Sequence, residues 1–444
     1  MNDYRVGFAV ADITPPVGTP IGGHFRSDPA SRGVYMPLLA QAMVVQNGAT
    51  TVAIVSADLL MVTKTMVASI RRAVFEKCGL PEENILVAAI HTHGGPPTSE
   101  LIEGCMASDE VITRITHLIT GTILEALDGA RPAEIKIARF EEPRLVFNRR
   151  IRMKDGSTRM NWEPLEPAEI DAPLGPVDPE GFVIAVHSDN RLSGMLVNYA
   201  LHPAVLAGDN YSMGPDWPGY LREALIQHVG DTIPILYTNG AQGNINHVNA
   251  KEPGRMHGFD EAERIGYTLA DTVTSVLHTS TDVTGPVAVS NEILTIPRYP
   301  VDPGALAAAR ERLEAFEELT IEGQQNGMPP WFFDRELIEH AARQSEPVEL
   351  EVQTIRIGNI GLAGLPGEFF VEWGLQLKAQ SPTAFTLPIG LANDSVGYVP
   401  TPAAMEQGGY EGTIWRYNQL ESNAGEKVVD SAVRQLQVLF DKSI

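Results

Sequence analysis

Cysteine is almost absent from this chain: its 444 residues hold two, Cys78 and Cys105, which excludes a disulfide scaffold. Positive charge is scarce as well, with 33 Lys and Arg against 56 Asp and Glu, a formal net charge of −23. Such a field repels polyanions except at a local basic patch, and no stretch of the sequence forms one. Neither nucleic acid nor a membrane surface is therefore an expected partner. No apolar run reaches the ~18 residues needed to span a bilayer. Residues 1–12 are too short and too polar for a secretion signal, so a cytoplasmic protein is expected. Low-complexity tracts, domain linkers and internal repeats are not visible either. What is there, 43% hydrophobic and 20% charged residues, suffices for a large buried core.

Strand-like and helix-like segments alternate, which predicts an α/β fold with a mixed central sheet flanked by helices. Residues 37–47 and 51–58 read as strands joined through the turn dipeptide Asn47-Gly48. A helix over 64–78 stops before Gly79, a C-cap residue, and the strand at 84–90 is followed by a helix over 109–128. Further strands are expected at 134–139, 181–187, 194–200 and 233–238, with helices at 217–228 and 259–278. Residues 304–345 look different: alanine- and charge-rich helical sequence is interrupted by Gly327-Met328-Pro329-Pro330-Trp331-Phe332-Phe333. This is either a helical lid over a pocket or a surface excursion with its aromatics tucked inward. Strands return at 349–357 and 360–364, and a helix over 425–440 closes the chain.

Side chains that can do chemistry recur at one kind of position, the end of an apolar run. Residues 84–89 lead into Ile90-His91-Thr92-His93-Gly94-Gly95-Pro96, and 194–201 lead into His202-Pro203. Residues 233–238 lead into Asn239-Gly240-Ala241-Gln242-Gly243-Asn244, 360–365 into Pro366-Gly367-Glu368, and 387–391 into the segment from Asn393 to Tyr398. In open α/β sheets, ligands bind beyond the carboxyl ends of the strands. Neutral imidazole is the commonest metal ligand, and residues i and i+2 of an extended segment share a side. His91 and His93 can thus face one pocket together; ordinary packed histidines are the alternative. Glu368 also fits a first-turn helix glutamate, and Tyr398 a half-buried aromatic with a satisfied hydroxyl. Asp58 reads equally well as a support for a ligating histidine and as a turn residue. Asp216 reads as a helix N-cap, and His247 and His257 as surface-loop residues.

Taken in order along nearly the whole chain, these pieces resemble the neutral/alkaline (non-lysosomal) ceramidase family, specifically its N-terminal catalytic domain. The stretch from Val6 to Pro16 is similar to that family's opening strand. The match continues through His91 to Pro96, Asn148-Arg149, Leu201-His202-Pro203, the turn at 239–244, Pro366-Gly367-Glu368, Asn393 to Tyr398 and Tyr410-Glu411-Gly412. The resemblance implies one catalytic domain over 1–444 and one zinc ion held by His91, His202, Glu368 and Tyr398. His93 and Arg149 would line the site and bind the carbonyl oxygen or the charge that develops on it, with Arg150 as the neighbouring alternative to Arg149. Tyr398 would double as a transition-state donor, and zinc would activate water as the nucleophile.

One departure matters. The family carries a serine in the turn matching 239–244, proposed there as nucleophile or substrate anchor, and Gly243 stands in its place. A serine acyl-enzyme is therefore not expected, and Asn239, Gly243 and Asn244 remain as candidate substrate contacts through side chain or backbone. The expectation is a zinc-dependent amidohydrolase that cuts an amide or ester bond in a small polar molecule rather than in a membrane lipid. The alternatives are a metal-dependent lyase or isomerase, and a non-catalytic protein that binds a ligand in the metal pocket. The number of chains that assemble is left open.

Overall fold

The computed structural model describes residues 4–441 apart from 27, 100–104, 253, 255, 256, 317, 318, 320–327 and 330. One connectivity recurs in it three times, although no repeat is visible in the sequence. In the first unit, β1 (Arg5–Asp12) pairs antiparallel with β2 (Leu39–Asn47), which pairs antiparallel with β3 (Thr50–Ala57). Helix α1 (Lys64–Cys78) then crosses to β4 (Ile85–Ala89), parallel to β3, and α2 (Asp109–Asp128) follows. The second unit repeats the order with β5 (Glu134–Glu141), β6 (Glu180–Ser188), β7 (Arg191–Tyr199), α3 (Trp217–Val229), β8 (Ile235–Asn239) and α4 (Phe259–Val276).

The third unit begins with β9 (Val287–Ile296) and an excursion that holds α5 (Pro303–Glu314) and α6 (Phe332–Arg343). It resumes with β10 (Val348–Ile357), β11 (Ile360–Leu365), α7 (Val371–Gln380), β12 (Phe385–Gly390) and α8 (Ala424–Phe440), in the same pairing pattern. The α/β class thus holds, with the mixed strands divided among three principal sheets rather than gathered into one.

Alternation along the strands explains why three sheets pack together. Met43, Val45, Val52, Ile54, Leu86, Ile137, Ile184, Leu196, Ile355, Leu362 and Leu387 point inward and form one shared core between the sheets. Their neighbours in sequence, such as Val44, Val55, Val183, Val197, Val352 and Leu365, point outward beneath the helices of their own unit. Strands buried on both faces read as continuous apolar runs, which is what made them legible. Where two sheets meet, backbone groups find no ladder partner, and a side-chain amide takes them up at each junction. Gln41 of the first sheet bonds both Ile235 N and Ile235 O of the second, at 3.0 and 2.7 Å. Asn198 of the second donates to Pro388 O of the third at 2.9 Å, and Asn393 exchanges bonds with Val87 N and O at 3.0 and 2.8 Å.

Local signals account for most element ends. Gly48 takes φ +58° in the tight turn between β2 and β3, and Gly79 takes φ +74° as the C-cap of α1. Thr63 caps the start of α1 and Ser108 that of α2. The 304–345 segment holds two helices, linked by Arg312 and Asp334 at 2.6 Å, while residues 317, 318, 320–327 and 330 of it lie outside the described residues. Trp331 and Phe332 are buried against the first unit's outer core. Among the described residues, no helix is long and apolar enough to cross a membrane.

Candidate active site

Strand direction decides where the site lies. β1 and β3 both run antiparallel to β2, and β4 runs parallel to β3, so the loops leaving β1, β3 and β4 emerge at one end. The same holds in the other two units. His91 and His93 follow β4, His202 follows β7, and Glu368 follows β11, each buried. Their functional atoms converge. His91 Nε2 lies 3.0 Å from His202 Nε2 and 3.4 Å from His93 Nε2, and Glu368 Oε2 lies 3.3 Å from His91 Nε2 and 3.5 Å from His202 Nε2. His91 sits at φ +71°, a strained conformation for a residue with a Cβ, held by its N–H to Leu59 O at 3.0 Å.

Each ring has a neighbour on its Nδ1 side. His91 Nδ1 donates to Leu60 O at 2.7 Å, and His202 Nδ1 lies 3.3 Å from Gln242 O. His93 Nδ1 meets His24 Nε2 at 3.2 Å. With the hydrogen on each Nδ1, all three Nε2 lone pairs face one point, where Arg149 Nη1 also comes within 3.5 Å of His202 Nε2. Glu368 Oε2 faces it too, with no hydrogen-bond partner among the described residues. Lone pairs crowded this closely, with 3.0–3.4 Å separating His91 from His93, His202 and Glu368, repel one another unless a cation stands among them. His91, His93 and His202 alone already form a group of buried donor atoms within 4.8 Å of one another. The donor chemistry fits a divalent metal ion.

Charge around this point is graded. Burial first, then the nearby Arg149, holds His202 well below the usual histidine range, and burial together with His24 does the same for His93. Burial and Arg26 push His24 down to about 3. All three rings are neutral at physiological pH. Burial opposes the charge on Arg149, but Tyr398, Glu411 and Glu368 outweigh it and keep the guanidinium firmly protonated. Arg149 Nε donates to Glu411 at 2.5 Å and Nη2 to the Tyr398 hydroxyl at 3.0 Å. Tyr398 is raised well above an ordinary phenol, by burial and then by Glu368, and so stays protonated.

Two adjoining cavities, which share His93 and Tyr398 in their walls, open on the cluster. One of about 60 Å³ is walled by His91, His93, Glu368, Tyr398, Trp415 and Tyr417. The other, of about 340 Å³, is lined by His93, His202, Arg149, Trp162, Tyr410 and His247, among others. Met328 borders both, and Phe332 of α6 the smaller.

The sequence-predicted residues fall into two groups. His91, His93, His202, Glu368, Tyr398 and Arg149 come together. Arg150 does not: its guanidinium is spent on Ala404 O and Gly408 O, at 3.1 and 2.9 Å. Asn239, Gly243 and Asn244 line neither cavity, contrary to their expected contact with substrate. Asn239 bridges the His91 and His202 loops through Leu201 N, Leu201 O and Ile90 O, and Asn244 binds Val371 N and Glu372. Gly243 packs on the Glu368 backbone. Asp58 binds Arg222 and Leu39 N instead of a histidine; the carbonyl of Leu60, two residues on, supports His91. Asp216 caps α3 as expected. His247 is buried in the larger cavity rather than on the surface, whereas His257 is exposed at its edge. His24, Trp162 and Tyr417 were missed: each is a single residue in a loop with no periodic or motif signal, while Tyr410 stood only within the matched Tyr410-Glu411-Gly412 segment, with no role assigned to it.

Fold and site together define an α/β protein organised around a buried histidine–carboxylate donor set at strand ends. The sequence model of the family described as neutral/alkaline non-lysosomal ceramidase, N-terminal, matches residues 4–233, and the chain belongs to that family. It is similar to the neutral ceramidase of Pseudomonas aeruginosa, 23% identical over 97% of this chain and 72% of the relative. The neutral ceramidase of Mycobacterium tuberculosis is 22% identical over 92% and 73%. The crystal structure of the Pseudomonas enzyme shares the fold, with a TM-score of 0.76 at 20% identity, covering 99% of this chain and 75% of that one. A ceramidase complexed with C2 superposes similarly, with a TM-score of 0.75 at 19% identity. With these relatives, the chain is an enzyme of the amidohydrolase type.

Proposed function

We propose that this protein is a zinc-dependent hydrolase of amide bonds in small acyl amides, with water as the nucleophile. The observation that carries the reading is the convergence of three buried Nε2 atoms and the partnerless Glu368 Oε2 on one point. His91, His202 and Glu368 would hold the metal, with the oxygen of the protonated Tyr398 hydroxyl completing the set; nitrogen and oxygen donors suit zinc. When bound, such an ion polarises a carbonyl and brings the pKa of a water to about 7. His93, neutral and with its Nε2 turned to the cluster, accepts the proton that water loses as its oxygen attacks the carbonyl carbon. The same proton then passes to the departing amine as the C–N bond breaks. Arg149 and Tyr398, both protonated, donate to the carbonyl oxygen as it gains charge, a contribution that typically reaches 10²–10³ in turnover per donor.

Substrate size follows from the cavity. At about 340 Å³ it lies at the lower end of the ~300–1,000 Å³ range of ligand pockets, which favours a short acyl chain over a two-chain lipid. The relatives are named as ceramidases; here the same bond type in a smaller molecule is the better fit. Two measurements test this. Protein purified without chelator should carry about one zinc per chain, and hydrolysis of short N-acyl amides in ¹⁸O-water should place one labelled oxygen in the carboxylate product. Undiminished hydrolysis by fully demetallated protein would end the metal reading. Faster cleavage of long-chain ceramide than of short amides would end the size reading.

A further inference from the structure

On the far side of the Trp415–Tyr417 wall lies another cavity, of about 190 Å³, which the proposed chemistry does not use. Its lining is basic in a chain whose net charge is −23: Arg298 follows β9, His340 and Arg343 lie on α6, and Arg416 lies on the loop after β12. No sequence run showed this patch, because the fold gathers it from three separate segments. Glu336 is the one carboxylate in the lining, and both of its oxygens are taken by Arg416, at 2.6 and 2.7 Å. Arg343 meets Glu346 at 3.3 Å in an exposed pair. Arg298 faces Arg343 as a like charge, and its Nε is buried with no hydrogen-bond partner among the described residues. Trp415, another lining residue, carries a second buried donor without an acceptor, its Nε1. His340 donates through Nε2 to Tyr299 O at 2.8 Å, so its bare Nδ1 is a buried acceptor without a donor.

We propose that this cavity binds a phosphate group, inorganic or carried on a small molecule. Clustered cations and buried N–H groups call for an anion with several acceptor oxygens, and guanidinium groups match phosphate geometry. His340 Nδ1 adds a requirement that sulfate and carboxylates do not meet: a P–OH that can donate to it. The hydroxyls of Ser99, Ser395 and Tyr417 in the lining complete a polar shell. Because Trp415 and Tyr417 line both this cavity and the small active-site cavity, an occupant here would bear directly on the wall of the catalytic pocket.

Calorimetric titration of the whole protein with inorganic phosphate at low salt tests the site. Saturable binding of one phosphate per chain is expected, weakened at least tenfold by Arg298→Gln, several-fold by Arg343→Gln, and not at all by Arg191→Gln, whose exposed partner Asp231 lies elsewhere. Sulfate and acetate should bind at least several-fold more weakly than phosphate. Arg343 is exposed, so its variant keeps the test meaningful even if Arg298→Gln folds poorly. Absence of saturable binding, equal affinity in the wild type and both cavity variants, or sulfate binding as tightly as phosphate would each overturn the proposal.

Discussion

Replacing Gly243 by serine would restore the hydroxyl that the family carries in this turn, yet the geometry predicts damage rather than gain. A Cβ built there stands 2.4 Å from Glu368 O and 2.9 Å from both Glu368 C and Phe369 O, closer than real Cβ atoms come. Neither side can yield cheaply, since Gly243 N donates to Phe369 O at 2.8 Å and Glu368 N to Gly397 O at 2.8 Å. Overpacking a filled site costs about 1–3 kcal/mol. Here the atoms that must move are the backbone of Glu368, so relief of the clash carries its carboxylate away from His91 and His202. Urea unfolding of Gly243→Ser should therefore show a loss of about 1–3 kcal/mol without metal. With zinc the deficit should grow, because each tenfold loss of metal affinity removes a further ~1.4 kcal/mol of ligand-linked stability. Mass spectrometry after a substrate pulse should find no acyl adduct. Wild-type stability, wild-type zinc affinity and an accumulating acyl-serine would together refute this reasoning.

Other perturbations read other parts of the site. Glu368→Gln replaces the partnerless acceptor with an amide that can donate to the histidine lone pairs. Metal-free protein should gain about 1 kcal/mol in urea unfolding while zinc affinity by competition with a chromophoric chelator falls ~100-fold or more; a loss of metal-free stability would contradict the four-acceptor picture. Acid sensitivity should come from the buried rings. His24 is held to about 3, and His93 and His202 are depressed as well, whereas unfolded histidines take up protons below ~6.5. The unfolded state then binds more protons across that window, so metal-free stability falls as pH drops from ~6.5, by up to ~1.4 kcal/mol per pH unit per ring. His24→Gln should flatten the slope of unfolding free energy between pH 5 and 6.5 by about one ring's share, and an unchanged slope would mean that folded His24 already carries the proton. Asp58→Ala strands the buried Arg222, which holds Asp58 at 2.8 and 2.6 Å, and should cost about 3–5 kcal/mol, much of it recovered in the double variant with Arg222→Met. A single-variant loss under 1 kcal/mol would show that water reaches Arg222.

Most of this fold was readable because doubly buried strands are apolar throughout and their helices carry ordinary caps. The helices at 64–78 and 109–128 coincide with the expected spans, Gly79 included. What stayed hidden was the threefold recurrence, since equivalent strands share only apolar character while their connecting loops differ in length and content. The site was legible where a residue ends a strand: His91, His93, His202 and Glu368 all do. It was illegible where contact is made across units. Nothing near His24 in sequence hints at His93, 69 positions away. Arg149 and Arg150 are distinguished only by their partners, Tyr398 for one and the carbonyls of 404 and 408 for the other. Asn239 and Asn244 sit at a strand end like the true site residues, but their amides are consumed by backbone groups.

The recurrence also explains why no single unit carries the chemistry. Each unit sends three loops to the same end: the excursion after its first strand and the turns after its third and fourth. The excursions deliver His24, Arg149 and the α5–α6 hairpin. The third-strand turns deliver the Leu60 carbonyl, His202 and Glu368, and the fourth-strand turns deliver His91 with His93, the Gln242 carbonyl and Tyr398. Under the proposed metal site, His91, His202 and Glu368 come one from each unit, so the ion can be held only when all three sheets are docked. Its binding free energy is then stability of the junctions rather than of any sheet alone. That places a constraint on divergence. Loop residues can change freely so long as three strand ends keep their donors, whereas the junction amides Gln41, Asn198 and Asn393 must persist, because they set the register in which those donors meet.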